Sequence, residues 1–541
     1  MNNNKNLFYI LLPLIFAVCV VFGIYLGALL SKNNSEKTLI FPNSIKFNTA
    51  NKINEILNFI DDTYVDSVDN KKLTENSIAA ILAELDPHSY YIPAQDFNGM
   101  NDPLEGNFEG IGVEFRIVED TVMVISAIAN GPSEKLGIEA GDRIIKVDTT
   151  NIAGIGITNE DVIKHLKGPK GTKVNVTILR RGIKKKLKFS IVRDEIPIFS
   201  IDAPYMINES TGYIRITRFA KTTYEEFFKA TKKLKEEGMD NLIIDLRSNG
   251  GGVLSAATDI ADELLVKNKM IVYTEGRARR KKEVYSTKKG ILQNINVSVL
   301  INENSASASE ILAGAIQDND RGNIIGRRSF GKGLVQEQIM WPDGSALRLT
   351  VARYYTPTGR CIQKPYQAGD LESYNMESYN RYVSGELLSS DSIHFPDSLK
   401  YYTPDGRIVY GGGGIMPDIF VPLDTNGNTP YFYEMRYRGI IQSFTLNYVD
   451  GNREKLKKEY QDALYFKKHF IVNDDLFNSL IKYAEENELT RNLNEIKTSK
   501  DLITMNLKAF ISRDLWGNFG YYVIINENDK TIQTAVSSFN Q

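Results

Sequence analysis

Three serines alternate in SASASE, residues 305–310: Ser305, Ser307 and Ser309, spaced by Ala306 and Ala308. A serine hydroxyl becomes a nucleophile when a neighbouring base takes its proton. Histidine is the usual base. The four histidines, His88, His165, His394 and His469, all read as lying outside the βαβ core that carries the serines. A lysine can serve if burial lowers its pKa from about 10.4 toward neutrality. Lys332, in SFGKGLVQ, is the candidate, with a glycine on either side and Gln336 four residues on to accept from its ammonium. Flanking glycines let a backbone, or a peptide, approach closely. Such a pair would perform acyl transfer. Ser307 with Glu310 is also a capping box, S-x-x-E, which any helix start can use. The two readings are compatible, because a helix N-terminus offers unpaired N–H groups that can stabilise an oxyanion. The turn SNGGG, residues 248–252, offers N–H groups to an oxyanion or to a phosphate and does not choose between them. HExxH and Cys/His clusters of metal spacing are both lacking, so no metal or other cofactor is expected.

These residues need elements to hold them. NLIIDLR, VSVLIN and NIIG read as buried strands, and MIVYTEG as a further one. TTYEEFFKATKKLKEEG, LSAATDIADELLV and SASEILAGAIQD read as helices between strands, the first capped by Thr222 or Thr223. Strands alternating with helices imply βαβ units and a largely parallel sheet. In such sheets sites form beyond the carboxyl ends of the strands, where SNGGG and ENSAS both fall. Upstream, GIGVEFRIVEDTVMVISAI and the strands after it suggest a small β-rich domain with a helix near 159–166. The resulting division is 36–100 helical, 101–193 the small domain, 194–425 the α/β core and 426–541 a charged helical extension. Residues 365–412, polar and rich in Tyr and Ser, read as an irregular surface insert.

Sixty-five basic and 67 acidic residues leave a formal charge of -2, which predicts no nucleic-acid partner. The clusters RARRKK (277–282) and 184–186 read as solvated loop or hairpin tips. Cys19 and Cys361 are the only cysteines, so no disulfide framework is expected. Residues 7–30 carry no charge over 24 positions, with Lys5 before and Lys32 after. Such a run is long enough to span a bilayer. A signal anchor over 1–35 is expected, which would make the membrane a partner and place the catalytic part in the periplasm or outside.

In order along the chain, DLRSNGGG, NENSASASEILAGAIQD, SFGKGLVQ, PDGSALRLTVARYYTPTGR and GIMPDI resemble the carboxy-terminal processing proteases. EGIGVEF with GPSEKLGIEAGDRIIKVD resembles the PDZ domain of those enzymes, and LDPHSYYIP a stretch just before it. The resemblance covers about residues 50–425. It implies a ClpP/crotonase-like α/β core with a PDZ domain, and a serine endopeptidase with a Ser/Lys dyad. Carried over by motif, the nucleophile is Ser307, the base Lys332 and its orienting residue Gln336. The oxyanion donors would be the N–H groups of Ala308 and Gly251, and Asp318 would have a supporting role. His88 matches a family position and reads as structural. The loop Gly110, Ile111, Gly112 and Val113 would capture the carboxylate of the C-terminal tail of an exported protein. Lys167 stands where relatives can carry an arginine linked to PDZ gating. A homodimer and an adaptor protein stay open as partners. The rival readings are a non-catalytic PDZ scaffold on the same fold and a phosphate binder using SNGGG.

Overall fold

The computed structural model describes residues 17–18, 20–26, 51–287 and 290–540. The expected membrane span requires correction. Among the described residues no helix is long and apolar enough to cross a membrane. Within the run 7–30 the described positions, 17–18 and 20–26, are helical. The rest of that run lies outside the described residues. The single-pass inner-membrane placement, and the periplasmic location drawn from it, are therefore not supported.

The chain divides into two units, residues 1–76 and the remainder. The first holds helix α1 (Lys52–Thr63) and the start of α2 (Asn70–Ala83). Ile53, Ile56 and Ile60 recur on α1 at helical spacing, yet α1 buries no residue.

The second unit takes up the rest of α2, then strand β1 (Tyr90–Ile92) and helix α3 (Phe97–Glu105), then a small domain. That domain comprises β2 (Asn107–Gly110), β3 (Val113–Val118), β4 (Thr121–Ala127), α4 (Pro132–Lys135), β5 (Arg143–Val147), β6 (Thr150–Asn151), α5 (Asn159–Leu166), β7 (Lys173–Leu179), β8 (Leu187–Val192) and β9 (Asp194–Pro197). Its sheet runs β3-β4-β5-β7-β8, with β3 at one edge. β2 and β9 pair as an antiparallel ribbon at its two chain ends.

The α/β core follows with β10 (Ile201–Met206), β11 (Thr211–Ile216), α6 (Thr223–Glu236), β12 (Asn241–Asp245), α7 (Leu254–Leu264), β13 (Met270–Gly276), β14 (Arg279–Tyr285), β15 (Asn296–Ile301), α8 (Ala308–Asp318), β16 (Asn323–Gly326), β17 (Leu334–Met340) and β18 (Ala346–Tyr355). Beyond it lie α9 (Leu371–Val383), β19 (Lys400–Tyr402), β20 (Ile408–Tyr410) and β21 (Ile419–Phe420). The main sheet is ordered β10-β11-β12-β15-β16-β21. Its pairings from β11 to β21 are parallel, and β10 joins antiparallel.

Both faces of this sheet are covered, which is why its strands read as unbroken apolar runs. Ile214, Ile244, Val299 and Ile324 pack with Ile260, Leu264, Leu312 and Ile316 of α7 and α8. Their chain neighbours Tyr213, Ile243, Leu300 and Ile325 point the other way, as strand alternation demands. There they meet the C-terminal helices: α10 (Pro430–Tyr437), α11 (Ile440–Glu459), α12 (Ala463–His469), α13 (Asp474–Glu486), α14 (Leu493–Thr498), α15 (Lys500–Ile525) and α16 (Lys530–Ser538). The extension is thus the second helical layer of the main sheet.

Two sequence readings change. MIVYTEG, β13, does not join the parallel sheet; it pairs antiparallel with β14 and β18 in a separate sheet, to which β17 and β1 also belong. The insert 365–412 is not an irregular loop. It contains α9 and the β19–β20 hairpin, and it is pinned by buried charge. The Arg381 guanidinium donates to the carbonyls of Ser329 and Arg328 at 3.0 and 2.8 Å and to Glu386, which also pairs with Arg328.

Asp318, at the end of α8, is joined to Arg360 at 2.6 Å, both side chains being 0% exposed. It also accepts from the Thr358 N–H and hydroxyl. Removing one partner of such a pair strands the other charge. Asp318→Ala should lose about 3–5 kcal/mol in denaturant unfolding; a loss below about 1 kcal/mol would show that Arg360 is satisfied without it.

Candidate active site

The carboxyl ends of three adjacent parallel strands build the site. β12 leads into SNGGG, β15 into ENSAS and β16 into RRSFGKG. Hydrogen bonds stitch these loops together. Asn302 Oδ1 accepts from the Ser248 N–H at 2.7 Å, the Ala306 N–H donates to the Asn249 carbonyl at 3.0 Å, and the Phe330 N–H donates to the Ser305 carbonyl at 2.9 Å.

This stitching separates the three serines. The Ser305 hydroxyl donates to the Leu246 carbonyl at 2.8 Å, and that of Ser309 to the Asn249 carbonyl at 2.9 Å. Both residues are fully buried, whereas Ser307 retains partial exposure. Ser307 precedes α8 with φ 56° and ψ -113°. Such a conformation costs a non-glycine residue on the order of 1–3 kcal/mol, so its surroundings must impose it.

Two buried groups do so. The Glu310 carboxylate accepts from the N–H groups of Ser307 at 2.8 Å, Lys332 at 2.9 Å and Gly331 at 2.7 Å, and from the Ser329 hydroxyl at 2.5 Å. Burial pushes its pKa up, while these donors oppose that rise. The Tyr354 hydroxyl lies 3.1 Å from the Ser307 carbonyl oxygen and 2.5 Å from that of Lys332. Burial raises the Tyr354 pKa well above its ordinary value, so the group stays a donor. One carboxylate therefore binds the N–H groups of Ser307 and Lys332, and one phenol faces both carbonyls.

The Lys332 Nζ donates to Gln336 Oε1 at 3.1 Å. Among the described residues this is its one hydrogen bond, so the serine hydroxyl and the lysine amine are not bonded to each other here. Burial lowers the Lys332 pKa and nearby Arg348 adds to the effect; Asp86 and Glu310 oppose it. Gln336 follows a register shift in the β17–β18 pairing, and its amide N–H donates to the His88 carbonyl. His88, outside the βαβ core in sequence, thus reaches the site through its backbone carbonyl. Its ring contacts the Tyr374 hydroxyl of α9 at 2.9 Å. Burial, then Lys332, pulls its pKa down to about 4, so it is neutral near pH 7. Asp86 fastens this stretch through Ser89 and the Thr350 hydroxyl.

Around Gly251 (φ 98°), a Cβ would fall 2.7 Å from Ser307 Cβ and 2.9 Å from the Ala308 nitrogen. A side chain there would close the approach to both. The Gly251 N–H donates to Asn249 Oδ1 at 2.8 Å, so it is already engaged. Ala308, first residue of α8, has no helical carbonyl behind it to receive its N–H. Asp318 stands ten residues along the same helix, about 15 Å away, so it braces the far end of α8 and does not touch the site. In the small domain, the carbonyls of Ile111 and Gly112 accept from Ser133 and Ile128. Among the described residues the N–H groups of Ile111 and Gly112 donate to no protein group. Gly110 and Val113 belong to the β2–β9 and β3–β4 ladders. Lys167 is paired with Asp102 of α3 at 2.9 Å.

Sequence reasoning missed Tyr354 and the reach of Glu310. Tyr354 lies within the quoted RYYTPTGR stretch, and the strand alternation that sends Ala352 inward sends Tyr354 inward too. Glu310→Gln should lower unfolding stability by about 2 kcal/mol or more and abolish the function of the site together with it, because an amide cannot accept all four donors. Wild-type stability and activity in that variant would sink the role given to this carboxylate.

Residues 210–373 match the family model of peptidase family S41, 110–191 that of the PDZ domain, and 431–517 a family of unknown function. The chain is 37% identical over 355 residues to a carboxy-terminal-processing protease of Bartonella bacilliformis, covering 63% of this chain and 79% of that one. It is 35% identical over 353 residues to the carboxy-terminal processing protease CtpB of Bacillus subtilis, covering 63% and 72%. Among solved structures it is similar to the photosystem II D1 C-terminal processing protease, at 28% identity and a TM-score of 0.31, over 57% of this chain and 88% of that one. With its S41 peptidase domain and PDZ domain, the chain belongs to the carboxy-terminal processing proteases, a family of serine peptidases.

Proposed function

We propose that Ser307 is the nucleophile and Lys332 the general base of this peptidase. The observation that carries the assignment is the shared anchoring of the two residues: Glu310 holds both N–H groups and Tyr354 faces both carbonyls. Ser307 is also the serine of the three whose hydroxyl is not spent on a backbone carbonyl in the SNGGG region.

In the proposed reaction the Lys332 amine, neutral, takes the Ser307 proton as Oγ attacks the scissile carbonyl. The resulting ammonium returns the proton to the leaving amine, and water hydrolyses the acyl-enzyme. Nζ turns toward Ser307 for this step while Gln336 accepts one of its N–H groups. Two further N–H bonds of an ammonium remain for the serine and the leaving group. The Ala308 N–H faces the developing oxyanion, aided by the start of α8. Gly251 serves as second donor once Asn249 Oδ1 yields its N–H. The substrate enters by its C-terminal tail, which adds to the free edge of β3 while the Ile111 and Gly112 N–H groups receive the carboxylate.

The test is cleavage, by the full chain, of an unstructured protein ending in an apolar tail. Ser307→Ala and Lys332→Ala should each lower kcat by roughly 10³-fold or more, with Ser305→Ala and Ser309→Ala far milder in kcat. An active Lys332→Ala enzyme would refute the dyad. Because the base must be neutral, kcat/KM should rise with pH through an ionisation below the ordinary lysine value of about 10.4. Arg348→Gln removes a cation that favours the neutral amine, so this limb should move to higher pH; an unmoved limb would assign it to another group.

A further inference from the structure

The C-terminal extension has one side on the main sheet, and nothing in the peptidase chemistry uses its other side. Two of its helices present charge there to the PDZ domain. On α11, the Asp450 carboxylate lies 3.4 Å from both Arg143 and Arg181 of the PDZ domain. The Asp450 side chain is 11% exposed, and among the described residues its hydrogen bonds go to those two arginines alone. A carboxylate so withdrawn from water needs partners, and here both come from the other domain. The backbones are fitted to the approach. A Cβ at Gly141 would fall 2.7 Å from Asp450 Oδ1, and one at Gly451 would fall 3.3 Å from the Arg181 guanidinium.

A second patch lies on α15. Arg513 pairs with Glu114 at 3.2 Å. Asp514 and Arg513 both act on Arg116, whose pKa is lowered chiefly by burial. Arg453 of α11 donates to the Asp514 carbonyl at 2.9 Å, joining the two helices behind this patch. Glu114 and Arg116 are alternate residues of β3, the edge strand that starts at the GIGV loop. The outward side of β3 is therefore held by α15, while Phe115 and Ile117 pack inward on the domain core.

We propose that residues 431–517 form the seat of the PDZ domain. Opposite charges at two separate patches fix the strand that receives the substrate tail at a set place relative to the peptidase core. The Lys167–Asp102 pair also ties that domain to α3, and the β2–β9 ribbon closes its two chain ends. A seated PDZ holds a bound tail at high effective concentration near the site, and a loosened one dilutes it. That consequence rests on the tail-directed peptidase reading; the seat itself does not.

The experiment has two arms, both on the full chain. The first reads hydrogen exchange, with no activity required. Asp450→Lys should raise exchange in residues 113–118, the edge strand beneath α15, by on the order of tenfold, as should about 1 M salt on the wild type. Arg143→Glu with Arg181→Glu, added to Asp450→Lys, should restore protection by reversing the pair. Unchanged exchange in Asp450→Lys, or no rescue by the reversed arginines, overturns the seat. The second arm compares two substrates. Asp450→Lys should lower kcat/KM roughly three- to tenfold for a protein with an apolar tail, and leave unchanged the hydrolysis of a short peptide blocked at its C-terminus. Equal losses on both substrates would overturn the role in delivery. A wild type that cleaves neither would refute the peptidase reading and leave the exchange result standing.

Discussion

One buried carboxylate organises this protein. Glu310 lies in the first turn of α8 and collects donors from two segments more than twenty residues apart in sequence, the helix start at Ser307 and the loop at Ser329 to Lys332. Buried carboxylates are costly unless their lone pairs are occupied, and here four donors occupy them. The cost explains the rigidity. Moving either segment would leave a desolvated charge short of partners, so the two move together or not at all. Tyr354 closes the other side of the same frame. The strained backbone of Ser307 is tolerable in this setting because its N–H and C=O are both already committed.

The frame in turn depends on layers further out. β17 and β18 carry Gln336 and Tyr354 in an antiparallel sheet distinct from the one whose strand ends supply Ser307 and Gly251. The site is therefore a junction between two sheets, and Glu310 and Tyr354 are what join them. The insert braces the junction from behind. Arg381 satisfies the carbonyls just before Phe330, and Tyr374 meets His88, whose carbonyl receives Gln336. Each contact orders a residue that orders a site residue, which is how a segment remote in sequence comes to matter for chemistry.

Much of this was legible in the sequence and some could not be. The apolar runs of β12, β15 and β16 announce a buried sheet, and the carboxyl-end rule places SNGGG and SASASE together. Choosing Ser307 over Ser305 and Ser309 required the family resemblance; the physical distinction, two hydroxyls bonded to carbonyls of a neighbouring loop, is long-range and has no local signature. MIVYTEG is as apolar as its neighbours, and hydropathy does not say which sheet a strand joins. The insert was misread because charged side chains are among those it buries. Arg381 and Glu386 look solvated in a composition profile, yet both are buried against carbonyls or opposite charge. Glu310 was visible as a cap through its i to i+3 spacing, while its contacts to Gly331 and Lys332 left no trace in spacing.

The extension shows the same limit at the scale of a domain. Its helices are plain from their charged, periodic sequence, but a helix rich in charge on its outer side looks alike whether that side meets water or another domain. What separates the cases is the fate of individual charges, such as Asp450, withdrawn from solvent against two arginines. The molecule then uses electrostatics in two regimes. Around Glu310 the charge is sealed from solvent, where salt has little access and every partner is short and fixed. Between the PDZ domain and the extension the arginines stay partly exposed and the contacts are longer, so ionic strength reaches them. The Glu310 frame is thereby insulated from the ionic medium, and the contact between the PDZ domain and the extension is left open to it.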